Sequence, residues 1–150
     1  MPSCTFFGHR DCPDSLKQSL RSVIIDLITN HGVDMFYVGH QGGFDRLVQD
    51  VLREITQEYP RAHYAVVLAY VPSGRSAADT ADTMLPEGIE LVHPRYAIPW
   101  RNSWMLQRSD FVVAYVSHSW GGAAWYMKEA IRSGKTVINL FNPQQGGHPL

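Results

Sequence analysis

VGHQGGFDRLVQDVL, residues 38–52, decides the fold. Val38 closes an apolar run that reads as a strand over 34–38. Gly39, Gly42 and Gly43 occupy the turn that follows. Phe44, Leu47, Val48, Val51 and Leu52 then recur three and four residues apart, which is one face of a helix. A strand leading through glycines into a helix has two readings. It is a tight turn that needs glycine for its backbone, or it is a cradle whose bare N–H groups meet a phosphate.

The same alternation extends in both directions. Upstream, residues 3–7 read as a strand ending at Gly8. The spacing of Leu16, Leu20, Val23, Ile24, Leu27 and Ile28 predicts a helix over 14–30, opened by Pro13 and Asp14 and capped by Gly32. The helix that begins at Phe44 runs to Tyr59 and is stopped by Pro60. Downstream, "AVVLAYV" (65–71) and "FVVAYV" (111–116) are near-continuous apolar runs, as expected of strands covered on both faces. A short helix is expected after Ser76 and a short strand over 89–92. Helices are expected over 98–107, with Pro99 early, and over 123–133, and a last strand over 136–141. Strands alternate with helices from end to end, which predicts an α/β domain with a mainly parallel sheet.

The composition agrees. The chain has 150 residues, 45% of them hydrophobic and 18% charged, enough for one domain with a real core. The formal net charge of -1 offers no global field for nucleic acid or an anionic membrane. No apolar run approaches the roughly 20 residues of a membrane span, and the start MPSCTFFGHR does not read as a signal peptide. Cys4 and Cys12 make no disulfide framework. Cys4 is expected in the core and Cys12 in a loop. These features predict a cytoplasmic protein.

In a parallel sheet the loops after the strands share one edge, where such folds bind ligands. On that rim the sequence places Gly8, His9 and Arg10; Gly39, His40, Gly42 and Gly43; Pro72, Ser73, Gly74 and Arg75; His93, Pro94 and Arg95; and Ser117, His118, Ser119, Trp120, Gly121 and Gly122. Two of the loops are glycine-rich and lead into helices, which suits an anion at a helix N-terminus. Neither is GxxxxGK(S/T) or GxGxxG. Asp45, in the first turn of its helix, complements the helix dipole or accepts ribose hydroxyls. Arg101 and Asn102 open another helix on the rim, where an arginine fork holds phosphate or a solvated face simply carries charge. Trp100, Trp104, Trp120 and Trp125 are base-stacking candidates, or core and subunit contacts. No HExxH or Cys/His spacing supports zinc, so neither a metal nor a cofactor is expected.

TFFGHRD, GGFDRLVQDV and RNSWMLQRSDFVVAYVSHSWGGAAWYMKEAIRSGKTVINL together resemble the SLOG superfamily over nearly the whole chain. These Rossmann-like proteins include the DprA DNA-processing proteins and the LOG phosphoribohydrolases. The DUF1273 or YpsA-like bacterial proteins are the branch most similar to this chain. The resemblance implies a Rossmann-like three-layer α/β/α sandwich over 1–141, a flexible tail over 142–150, and a site for a nucleotide or nucleotide-derived ligand. LOG enzymes use an arginine–lysine pair and a PGGxGTxxE motif. Arg101 matches the arginine, and Asn102 stands where lysine is usual. Gly121 and Gly122 match the glycines, but Trp120 replaces proline, Ala124 replaces glycine and Trp125 replaces threonine. Lys128 falls at the catalytic glutamate, with Glu129 one residue on. One residue is about 100° of helix rotation, so Glu129 does not simply substitute.

The expectation is therefore a SLOG-type binding protein. Its ligand residues would be Gly8, His9, Arg10, Gly39, Gly42, Gly43, Asp45, Arg101, Asn102, Ser119, Trp120, Gly121 and Gly122. Phosphate would lie on helix N-termini, ribose near Asp45, and a base or sugar near Trp120. The alternative is a phosphoribohydrolase-like N-glycosidic hydrolase with Arg101 and Glu129 as catalytic residues, Arg101 as the clamp and Glu129, or Asp45 in its place, as the acid. A second alternative is DprA-like single-stranded DNA binding, against which the near-neutral charge argues. A homo-oligomer is expected; a membrane or nucleic-acid partner is not.

Overall fold

The computed structural model describes residues 2–71 and 82–143. Its six strands are β1 (Ser3–Gly8), β2 (Met35–Val38), β3 (His63–Val67), β4 (Thr83–Met84), β5 (Phe111–Tyr115) and β6 (Thr136–Asn139). They form one sheet in the order β4-β3-β2-β1-β5-β6, parallel at every pairing. The helices are α1 (Leu16–His31), α2 (Gly42–Glu58), α3 (Ala97–Arg108) and α4 (Gly122–Arg132). The α/β Rossmann-like architecture expected from the sequence is the one the chain adopts.

Side-chain alternation along β1 builds the layers. Cys4 and Phe6 face the stripes that α1 and α2 bury: Leu16, Leu20, Ile24 and Leu27 from one, Phe44, Val48, Val51, Leu52 and Ile55 from the other. Phe7 points to the opposite face, where it meets Met105 of α3 and Tyr126 and Ala130 of α4. A strand repeats every two residues and a helix every 3.6, so one apolar pattern specifies both the pleat and the stripe that covers it. Gly32 ends α1 in the left-handed region (φ 68°), where its N–H reaches Leu27 O.

The region between β3 and α3 departs from expectation. Residues 89–92 are not a strand. Ile89–Leu91 is a 3-10 turn, followed by a second one over Pro94–Tyr96. Gly88, at φ 96°, turns the chain, and Ile89 N–H and Leu91 N–H donate locally to Pro86 O and Gly88 O. Ile89 then packs against Ala69 and Ala97, so its apolar character is satisfied without sheet pairing. The fourth strand is Thr83–Met84, beside Val66 and Val67. His93, Pro94 and Arg95 therefore follow a 3-10 turn and not a strand. β3 stops at Val67, short of the expected Val71. The helix expected after Ser76, the loop residues Pro72, Ser73, Gly74 and Arg75, and the tail over 144–150 lie outside the described residues.

The strand order locates the site. The chain runs outward from β1 through β2, β3 and β4, then crosses back to place β5 on the other side of β1. The loops leaving β1 and β5 diverge at that reversal and leave a crevice beyond the strand ends.

Candidate functional site

A cleft of about 640 Å³ lies at this crevice. β1 and its loop supply Gly8, His9, Arg10 and Asp11. The β5–α4 loop supplies Ser117, His118, Trp120 and Gly121, and α4 opens into it at Gly122. Gln41 and Asp45 come from the start of α2, and Arg101, Asn102 and Met105 from α3.

Arg101 is the largest fully buried side chain, at 1% exposure. Ala97, Arg101 and Met105 are four residues apart and form the inward stripe of α3. The guanidinium Nη1 donates to Val67 O at 2.8 Å and Nε donates to Asn102 Oδ1 at 2.8 Å. Burial lowers its pKa, and the Asp45 carboxyl opposes that. An arginine remains charged in such a place. Asp45 is 9% exposed and accepts the Gln41 N–H on Oδ2 at 2.9 Å. Burial raises its pKa to about 6, against the pull of the Gln41 N–H and of Arg101. A Cβ on Gly39 would lie 2.8 Å from Asp45 Oδ2 and 3.0 Å from Arg101 Nη1. Gly39 is thus needed for the approach of these two charges, although it does not line the cleft.

The glycine pair of the opening stretch is a packing turn. Gly42 adopts φ 88°, and its missing side chain leaves room for Arg10. Gly43 N–H donates to Arg10 O at 2.8 Å. Neither lines the cleft. The turn clamps the β1–α1 loop and so sets where His9 and Arg10 stand. Gly8 also packs closely, because the Phe44 ring lies where its side chain would be.

The second glycine pair is different. Gly121, at φ 93°, caps α4, and no side chain caps the helix. A Cβ on Gly122 would meet nothing within 4 Å. The first N–H groups of α4 therefore open onto the cleft with their partial positive charge. Asn139 steadies the approach to this turn by bonding both Val116 N–H and Val116 O at 3.0 Å.

Ser119 does not line the cleft. Glu129 lies in a second depression of about 350 Å³ with Ser103, Trp125 and Lys135, and pairs there with Arg132. That contact lowers its pKa. The structure does not bring Glu129 to Arg101, as the helical offset from position 128 implies. Cys12 is half-buried, and burial with Asp14 and Asp11 raises its pKa, away from a reactive thiolate. Sequence reasoning missed Gln41, Met105 and Tyr126. Tyr126 stacks on Phe7 at 5.0 Å and donates to Pro99 O, which joins α4 to α3 under the cleft. Its only sequence signal is the inward spacing with Ala130.

A six-stranded parallel sheet reversing at β1 and β5, with a polar cleft at the reversal, defines a Rossmann-like α/β protein. Among solved structures, DNA processing protein A (DprA) from Streptococcus pneumoniae shares this fold. Its TM-score is 0.66 and its identity 16%, over 91% of this chain and 49% of that one. This chain thus spans about half the length of that protein. No protein-family model and no curated protein matches the sequence. At this identity the likeness is one of fold. No helix among the described residues is long and apolar enough to cross a membrane.

Proposed function

We propose that this chain binds a nucleotide or nucleotide-derived ligand in the cleft between β1 and β5, as a SLOG-type protein near the DUF1273 or YpsA-like branch. The observation that carries this is the uncapped start of α4, opening at Gly121 and Gly122 onto a cleft that also contains Arg10 and the buried Arg101. Backbone N–H groups and arginines on one small volume suit a phosphate. Asp45, nearby, accepts ribose hydroxyls. The protein acts in the cytoplasm and as a homo-oligomer on this reading.

Gly122→Asp tests it. An acidic residue in the first turn complements the helix dipole, and the added side chain meets open space, so the fold keeps or slightly gains stability. The same carboxylate repels a phosphate. Isothermal titration with AMP and with ribose 5-phosphate will show binding to the parent chain, weakened about tenfold or more in Gly122→Asp. Binding unchanged by the new charge rules out phosphate at this helix end.

A second reading is favoured by one observation: a buried carboxyl, Asp45, lines the cleft beside Arg101, and burial raises its pKa to about 6. A hydrolase of N-glycosidic bonds needs such a group to activate water or stabilise a developing cation, and Asp45 lines the cleft while Glu129 does not. Release of free base and ribose 5-phosphate from a nucleoside monophosphate, abolished in Asp45→Asn with binding retained, would establish it. DNA processing is a property in the name of the structural neighbour. With a net charge of -1, single-stranded DNA is expected to give no salt-dependent gel shift here.

A further inference from the structure

Three rings from two loops form one continuous stack on the wall of the cleft. His9 lies on His118 with centroids 3.8 Å apart and planes 11° apart, and His118 lies on Trp120 at 3.8 Å and 19°. The inner end is anchored, because Ser117 N–H donates to His9 Nε2 at 2.9 Å. That bond requires a neutral His9 with its proton on Nδ1, and burial together with His118 lowers the His9 pKa in the same direction. The middle ring contributes its face and not its polarity: His118 Nδ1 is buried and has no hydrogen-bond partner among the described residues. The outer ring, Trp120, is 69% exposed and lines the cleft.

An indole left this open usually loses considerable side-chain freedom when a ligand immobilises it. Here the two histidines have already fixed its plane. The other face of Trp120 has no ring against it among the described residues. Directly beyond it, Gly121 and Gly122 open α4, so the stack stands beside the helix start proposed above to hold phosphate.

We infer that the His9–His118–Trp120 stack is a preformed platform for the planar base of a nucleotide, with Trp120 as the contacting ring and the two histidines as positioning residues. The inference rests on the nucleotide reading above and adds which end of the ligand confers affinity beyond the phosphate. Stacking on an aromatic face is tolerant of base identity, so adenine and cytosine are both accepted.

The experiment compares AMP, CMP and ribose 5-phosphate by titration calorimetry on the full chain. AMP and CMP will bind about tenfold more tightly than ribose 5-phosphate, the range of one base–aromatic stack. Trp120→Ala will bring both nucleotides to the level of ribose 5-phosphate and leave ribose 5-phosphate itself unchanged, with the thermal midpoint unmoved. His118→Ala will lose part of the base-dependent gain, and His118→Phe, which keeps a ring and removes both nitrogens, will restore it. A nucleotide preference that survives Trp120→Ala overturns the platform, as does equal binding of AMP and ribose 5-phosphate by the parent chain; both leave the phosphate reading standing. Failure of all three probes to bind removes the nucleotide reading and the platform with it.

Discussion

Gly8→Ala will destabilise the fold by about 3 kcal/mol, although it adds one methyl group. The position closes β1 and is paired with Tyr115 of β5. A Cβ there would lie 2.9 Å from Phe44 Cβ and closer still to the ring. Phe44 has no exposed surface and its ring also packs on Tyr115, at 6.3 Å between centroids. The strand cannot retreat without breaking its pairing, and the ring has no space to turn into. Overpacking of this kind forces side chains off their rotamers. Phe44→Ala alone loses the ring contacts and is destabilising as well. In the double variant Gly8→Ala/Phe44→Ala the two ring atoms nearest the new methyl are gone, so the loss will be less than the sum of the single losses, by at least about 1 kcal/mol. Urea unfolding of the four chains measures the cycle. Additive losses would show that Gly8 is not held by Phe44. The functional consequence is local, since Gly8 and Phe44 fix the level at which His9 and Arg10 leave the sheet.

The second large effect is on pH. Asp45 has a native pKa of about 6, raised chiefly by burial from 3.8. Between those values the native carboxyl holds a proton that the unfolded chain has released. Stability falls with rising pH wherever the native state binds more protons, so the favourable contribution is complete below about pH 4 and gone above about pH 6. A gap of about two pH units corresponds to about 3 kcal/mol. Asp45→Asn keeps an oxygen for the Gln41 N–H and carries no charge. Its stability relative to the parent will be near zero at pH 4 and will rise to about 3 kcal/mol in favour of the variant at pH 7. Chemical denaturation at a series of pH values follows this difference directly, since other titrating groups cancel between the two chains. A constant difference across that window would place Asp45 in an environment that does not penalise its charge. A buried carboxylate that weakens the fold at neutral pH is the kind of group retained for a site.

Legibility differed between elements for physical reasons. Helices α1 and α2 announce themselves because each carries an apolar stripe over several turns, with Asp45 the one charged residue buried on α2. Helix α3 carries Arg101 in the same stripe, and its charge suggests a solvated face; only spacing with Ala97 and Met105 points inward. β4 has two residues, too few for any alternation to register. Residues 89–92 satisfy an apolar pattern equally well as a strand or as a turn packed on Ala69, and the decisive group is Gly88, whose positive φ cannot be read from its identity.

Periodicity and turn chemistry in the sequence determined the alternation of strands and helices, the parallel sheet, and the offset that separates Glu129 from position 128. All of these depend on residues close together in the chain. Tertiary structure alone decided which glycines serve packing and which leave helix N–H groups open. The two pairs are the same dipeptide: Gly43 has Arg10 O against its N–H, and Gly122 has open space. It also decided that His9, His118 and Trp120 share one stack, because the contact arises only when β5 is inserted beside β1. Local sequence specifies what each backbone segment does; which side chains meet across the sheet reversal depends on where the chain returns.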